Sequence, residues 1–332
     1  MQQPFHHFEP LKGYENFEAT TQIMIAEILA RQLPFEIIDS ENNLLAVTFK
    51  NREFIIHEGT ISDGNTLISF WISNDKWMTK QFLQRKGVSF AKAVILGNMV
   101  ELKSLSIPNY PLVVKPVDTD HGIGVSTSIN NEEQLRVALE RAFKYSKKVI
   151  IEEFFLGKEF RFLVVDGVVR AITYREPANI VGDGISTVEQ LIDKKNVGRG
   201  DDYKFPLLKI KIDDEVTRHL NTQSLTIHSV VPNGEKIYLR KNSNLSTGGD
   251  SIDVTDTIPS YYKDVAVKAA DAAGLRIAGV DMIISDLNNA PSQANYIVVE
   301  LNAPPMLSMH NYPYIGVNRH VEKYVLDCIL NS

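Results

Sequence analysis

The chain has 332 residues, 44% of them hydrophobic and 23% charged, so it can bury a sizeable core and is sized for roughly two domains. A formal net charge of −6 argues against nucleic acid as the main partner. The single cysteine, Cys328, excludes an internal disulfide framework, fits a reducing compartment and lies in an apolar, core-like pattern. The opening Met-Gln-Gln-Pro-Phe-His-His has no basic segment followed by an apolar run, and every apolar run is strand-sized. A cytoplasmic location away from membranes is therefore expected.

Residues 1–15 read as a loose arm in which His6 and His7 are a solvated pair. Ile23, Ile25, Ile28 and Leu29 recur at helical spacing over 17–31. Short strands are expected over 35–38, 44–49 and 53–57, and another over 66–72. A helix beginning at 73–76 carries Leu83 and Val88 on its apolar side and ends at Gly87. Strands follow over 91–95 and 112–115, then a loop with two glycines over 118–126, a helix over 131–145 and a strand over 149–153. Segments 160–165 and 168–174 form a hairpin, because Asp166-Gly167 suits a tight type I′ turn. A short helix over 189–194, a strand over 236–241, a helix over 260–273 capped by Gly274 and a closing helix over 320–330 complete the chain. The class is α/β (α+β), in three units: 1–72, 73–153 and 154–332.

The organising stretch is 279–302, an apolar strand, a turn rich in Asp, Asn, Pro and Ser, and an apolar return strand. Asp281, Glu300 and Asn302 interrupt it. Glu300 and Asn302 are two apart and share a strand face, and closure of the hairpin brings Asp281 beside them. Charge on such a ribbon needs a partner, either a hard divalent cation such as Mg2+ or a Lys or Arg.

Lys115 ends a buried Val-Val-Lys-Pro strand and Lys76 opens a helix, with Lys80 competing for the same role. Lysines in apolar surroundings suit nucleotide phosphates or snorkel to water. In the loop 118–126, His121, Gly122, Gly124, Val125 and Ser126 offer backbone N–H groups to a phosphate or form a plain turn; Gly122-Ile123-Gly124 does not match the dinucleotide fingerprint. Glu152, Glu153 and Phe154 end a strand at a connection that can meet an adenine edge, and Glu159 is spaced for a ribose hydroxyl. Arg161, Arg175 and Arg240 lie in or at the ends of strand patterns, as forks for carboxylate and phosphate oxygens or as structural ion pairs. Arg240 precedes Asn242, Asn244 and the run Ser246, Thr247, Gly248, Gly249, a dense donor set suited to an acyl phosphate and its oxyanion.

The order of these motifs resembles the ATP-grasp superfamily of carboxylate–amine ligases: Val-Val-Lys-Pro, the glycine loop, the acidic hinge, Leu-Arg-Lys-Asn-Ser-Asn-Leu-Ser-Thr-Gly-Gly-Asp at 239–250, Gly-Val-Asp at 279–281 and Glu-Leu-Asn-Ala-Pro at 300–304. Residues 239–256, 279–281 and 299–310 are similar to the ATP-grasp part of cyanophycin synthetase. Nearly the whole chain is similar to the glutathione-synthetase half of bifunctional glutamate–cysteine ligase/glutathione synthetases. The resemblance implies three subdomains, with ATP and Mg2+ (or Mn2+) between the central and C-terminal ones, and amide-bond formation through an acyl phosphate. It implies phosphate contacts from Lys76 and Lys115, adenosine contacts from Glu152 to Phe154 and Glu159, a flap over 122–126, and metal ligation by Asp281, Glu300 and Asn302. Arg240, with Arg161 and Asn242, would stabilise the acyl phosphate, and Arg175 and Ser246 to Gly249 would bind substrate.

The implied partners are small amino-acid or peptide substrates, most directly γ-glutamylcysteine and glycine, and a homo-oligomer is compatible. Another amino-acid or peptide pair is the alternative, and a nucleotide-binding module without turnover the remote one. The D-alanine ligase branch has arginine where this chain has Gly279, which disfavours that branch. The glutamate–cysteine ligase half is not in this sequence, so either a separate enzyme supplies γ-glutamylcysteine or the substrate differs.

Overall fold

The computed structural model describes residues 8–119 and 123–332; His6, His7, His121 and Gly122 lie outside them. Helix α1 (Ala19–Ala30) and a meander of β1 (Phe35–Asp39), β2 (Leu44–Phe49) and β3 (Arg52–His57) open the described chain. Met24, Ile25 and Ile28 pack with Leu45, Val47, Phe54 and Ile56. The arm is not loose from Phe8 onward, because that ring is buried edge-on against Phe205 and Tyr312.

The strand expected over 66–72 is instead helix α2 (Leu67–Asn74), so the 72/73 boundary falls inside it. Thr66 caps the helix by accepting the Ser69 N–H, and the Ser69 hydroxyl donates to the Gly274 carbonyl at 2.8 Å. Leu67, Ile68 and Trp71 face outward while Ser69, Ile72 and Ser73 are buried, a helical spacing rather than alternation. Helix α3 (Lys76–Arg85) starts at Asp75, which accepts the Met78 N–H.

The next sheet has the order β4-β7-β5-β6, from β4 (Ala93–Leu96), β5 (Leu112–Pro116), β6 (Ser126–Ile129) and β7 (Val149–Glu153). Helix α4 (Glu132–Ala142) covers it with Leu135, Ala138 and Leu139. Strands β8 (Lys158–Val165) and β9 (Val168–Glu176) turn at Asp166 and Gly167, both with positive φ, as a type I′ hairpin requires. A lobe with its own apolar cluster follows, built from β10 (Asn179–Val181), α5 (Val188–Asn196), α6 (Asp214–Thr222) and β11 (Lys236–Tyr238). The strand expected over 236–241 therefore stops at Tyr238.

The remaining elements are β12 (Asp250–Asp253), α7 (Ser260–Ala272), β13 (Ile277–Ile284), β14 (Tyr296–Asn302), α8 (Ser308–Asn311) and α9 (Glu322–Leu330). They complete an antiparallel sheet of order β12-β9-β8-β13-β14. Strand side chains alternate between faces. Phe160, Phe162, Val280, Met282 and Val298 lie on one face with Tyr262, Ala266 and Ala269 of α7. Leu163, Val165, Ala171 and Ile277 lie on the other, under Val325 and Ile329 of α9 and the N-terminal unit. Further along the strands that second face becomes polar.

Candidate active site

One polar row crosses all five strands. Register pairs Asp253 with Thr173, Thr173 with Arg161, Arg161 with Asp281, and Asp281 with Glu300. Two residues away on the same face, Arg175 pairs with Ser251 and Asn302 with Gly279. A bulge between Asp281 and Met282 shifts the register of the last hairpin beside the row.

Asp281 is fully buried. Arg161 donates from Nε to its Oδ1 and from Nη2 to its Oδ2 at 2.8 Å, a bidentate fork. Arg175 Nη1 lies 3.3 Å from the same Oδ2. Burial opposes the charge on Asp281, but the two guanidinium groups outweigh it and hold the carboxyl below its ordinary range. Glu300 moves the other way, because burial and the charge of Asp281 raise it. Asn302 Nδ2 is 3.5 Å from both Asp281 Oδ2 and Glu300 Oε1. The hairpin thus brings the three expected metal ligands together, with two arginines against them. Gly279 permits this closeness, since a Cβ there would lie 3.0 Å from Arg161 Cδ and 3.1 Å from its Nη1.

A second charged cluster lies in the four-stranded sheet. Glu152 receives Lys115 at 2.6 Å and Lys80 at 2.8 Å, and all three are buried. The lysines hold the Glu152 carboxyl down at about 2 although burial pushes it up. Burial, and then Lys115, lower Lys80 against the pull of Glu152. Lys80, the competing candidate, thus shares Glu152 with Lys115. Lys76 donates instead to the Thr119 carbonyl at the start of the glycine loop. Gly124 has φ +75°, and a Cβ there would meet Pro116 Cγ at 2.8 Å; Val125 leads into Ser126 and β6.

Several expected roles need correction. Glu152 faces the lysines and not a ribose. Strand β7 is flanked on both sides rather than open; the Glu153 N–H donates to Lys92 and the Phe154 N–H to Pro111, so neither amide is left for an adenine. Glu159 is engaged by Arg175 and the Ser243 hydroxyl, which makes it a support for Arg175. Arg240 is matched by Asp213 at 2.5 Å and Glu215 at 2.7 Å, and Asn242 Nδ2 reaches Glu215 at 3.3 Å. Both acids lie at the start of α6, a helix the sequence reading did not identify. The glycine run is tied inward: Thr247 Oγ1 donates to Asn242 Oδ1 at 3.0 Å, and the Gly248 and Gly249 N–H groups donate to Leu245 and Asn244. Ser246 interacts with the Tyr203 hydroxyl.

Two groups escaped the sequence reading. Buried Arg199 pairs with Asp250, joined there by Lys195 at 2.6 Å and Asn179 at 3.0 Å. Lys195 lies in the last turn of α5, and its partner Asp250 is 55 positions away, so the pair had no local signal. His310, buried on α8, sits in a run of small and apolar residues and reads there as core.

The family model described as D-ala D-ala ligase C-terminus matches residues 82–234, and the one described as RimK-like ATP-grasp domain matches 224–327. The crystal structure of a bifunctional glutathione synthetase from Pasteurella multocida superposes with a TM-score of 0.76 at 32% identity, covering 98% of this chain and 46% of that one. The chain belongs to the ATP-grasp superfamily. ATP-grasp membership implies use of ATP with a divalent metal. Among ATP-grasp relatives, the glutathione biosynthesis bifunctional protein of Clostridium perfringens is 38% identical over 327 residues, 97% of this chain and 42% of that protein. Its counterpart in Enterococcus faecalis is 36% identical over 325 residues, 95% of this chain and 43% of that protein. The chain therefore spans less than half the length of the curated relatives it matches. The D-ala D-ala ligase model ends before Gly279. Among the described residues no helix is long and apolar enough to cross a membrane.

Proposed function

We propose that this ATP-grasp chain is a carboxylate–amine ligase that joins γ-glutamylcysteine to glycine. The γ-phosphoryl group of ATP passes to the substrate carboxylate, ADP leaves, and the amine displaces phosphate from the acyl phosphate. One observation carries the reading: Asp281, Glu300 and Asn302 share one face with Arg161 and Arg175. The named activity of the relatives supports the choice of substrates.

The donor set fits Mg2+ or Mn2+, because two carboxylates and an amide oxygen are hard ligands and substrate phosphates complete such sites. Asp281, Glu300 and Asn302 would hold the cation. When bound, it neutralises triphosphate charge.

The other tasks fall to the chain. Arg161 and Arg175 stabilise charge that develops on the transferring phosphoryl group. Lys80 and Lys115, preset on Glu152, offer two cations to the nucleotide phosphates. The flap over 122–126 would exclude water from an acyl phosphate that water would destroy. Arg240 holds the lobe through α6 and takes no part in the transfer.

Purified protein with Mg-ATP, γ-glutamylcysteine and glycine is expected to release phosphate well above either single omission. Release no greater than in those omissions overturns the glutathione-synthetase reading. ADP release across a panel of amino acids and dipeptides then finds a different pair, or, if none stimulates, leaves a binding module.

A further inference from the structure

We infer that His310 belongs to the reactant site, where its Nε2–H donates a hydrogen bond to the reacting carboxylate of the acyl substrate. The inference rests on the ligase reading above. Helix α8 packs on β9 and β12 and sets the ring beside Thr173, between Asp253 and Arg161 in the polar row. His310 Nδ1 is 2.9 Å from Thr173 Oγ1. That hydroxyl has no other hydrogen-bond partner among the described residues, and when its proton points at Nδ1 the ring hydrogen sits on Nε2.

Nε2 itself is buried and has no partner among the described residues. Buried donors are nearly always bonded, and an orphan costs about 1–3 kcal/mol. Arg175, two residues from Thr173 and on the same face, has a second such donor in its buried Nε. Two unfilled N–H groups beside a guanidinium suit an anion with two oxygens. The ring stays neutral, since burial and Arg161 push its pKa down to about 3 against the pull of Asp253 and Asp281. It therefore acts as a fixed donor and not as a general base.

An asparagine amide overlays Nδ1 and keeps the Thr173 contact, whereas a glutamine amide reaches the position of Nε2. The test is calorimetric titration of γ-glutamylcysteine into full-length protein holding Mg2+ and a non-hydrolysable ATP analogue. His310→Asn is expected to bind it at least ~10-fold more weakly than wild type and His310→Gln within ~3-fold, with affinity for the analogue unchanged in both. An Asn variant that binds like wild type overturns the inference, as expected if Nε2 merely holds a trapped water. A Gln variant weaker than Asn also overturns it, by making the Thr173 contact the important one. Should either variant fail to fold, nitrogen NMR of the wild-type imidazole decides: an Nε2–H tautomer supports the inference and an Nδ1–H tautomer overturns it. A wild type that binds the analogue but not γ-glutamylcysteine overturns the glutathione-synthetase reading and this inference with it. Wild-type binding beside an indifferent Asn variant overturns this inference alone.

Discussion

Asp281 keeps its charge in a buried position because two arginines face it, whereas at Glu300 burial and the charge of Asp281 outweigh the same two arginines. Asp281→Asn or Glu300→Gln is expected to lower ADP release at least ~100-fold, as removal of other charge-stabilising groups does. Full activity in both variants would refute the metal assignment. Glu152 poses a stability question. Glu152→Gln leaves Lys80 and Lys115 buried without their partner and is expected to cost about 3–5 kcal/mol in urea unfolding at pH 7. The Glu152 carboxyl titrates at about 2 in the fold against 4.5 as its ordinary value. Its stabilisation is thus complete above pH 4.5 and fades as pH falls toward 2. The gap between wild type and variant should shrink across that window, and a constant gap would contradict the ion-pair account. Lys76 and Lys80 are four residues apart on one helix, so spacing could not choose between them. The fold buries Lys80 against Glu152 and turns Lys76 to the Thr119 carbonyl. Arg240 misled for a related reason: its motif is local, while its acid partners lie 25 and 27 positions away.

At the scale of elements, the hairpins were the legible part. Asp166-Gly167 announced one turn, and the polar stretch between two β-branched arms announced the other. Helix α2 was misread because a short apolar run does not separate strand from helix by periodicity; its cap at Thr66 does. Thr66→Ala is expected to lower stability by about 1 kcal/mol, read from the urea midpoint. The packing of β13 on β8 makes a sharper forecast. Gly279→Ala would push its methyl against the Arg161 side chain and loosen the fork on Asp281. Phosphate release should fall at least ~10-fold, equivalent to about 1.4 kcal/mol in the barrier. A variant with wild-type turnover would show that Arg161 tolerates displacement.

For the whole molecule, motif order along the chain carried the superfamily. In the lobe, α5 and the start of β11 were legible while β10 and α6 were not, since both are short and the Arg199–Asp250 anchor joins distant residues. The polar row described above also bears on how the sheet assembles. Sliding β13 by one residue against β8 would turn Asp281 toward Phe162 and Tyr262, inside an oily layer. A carboxylate stranded there would make that misaligned intermediate too unfavourable to persist. The buried Asp281 thereby proofreads strand alignment while the protein folds.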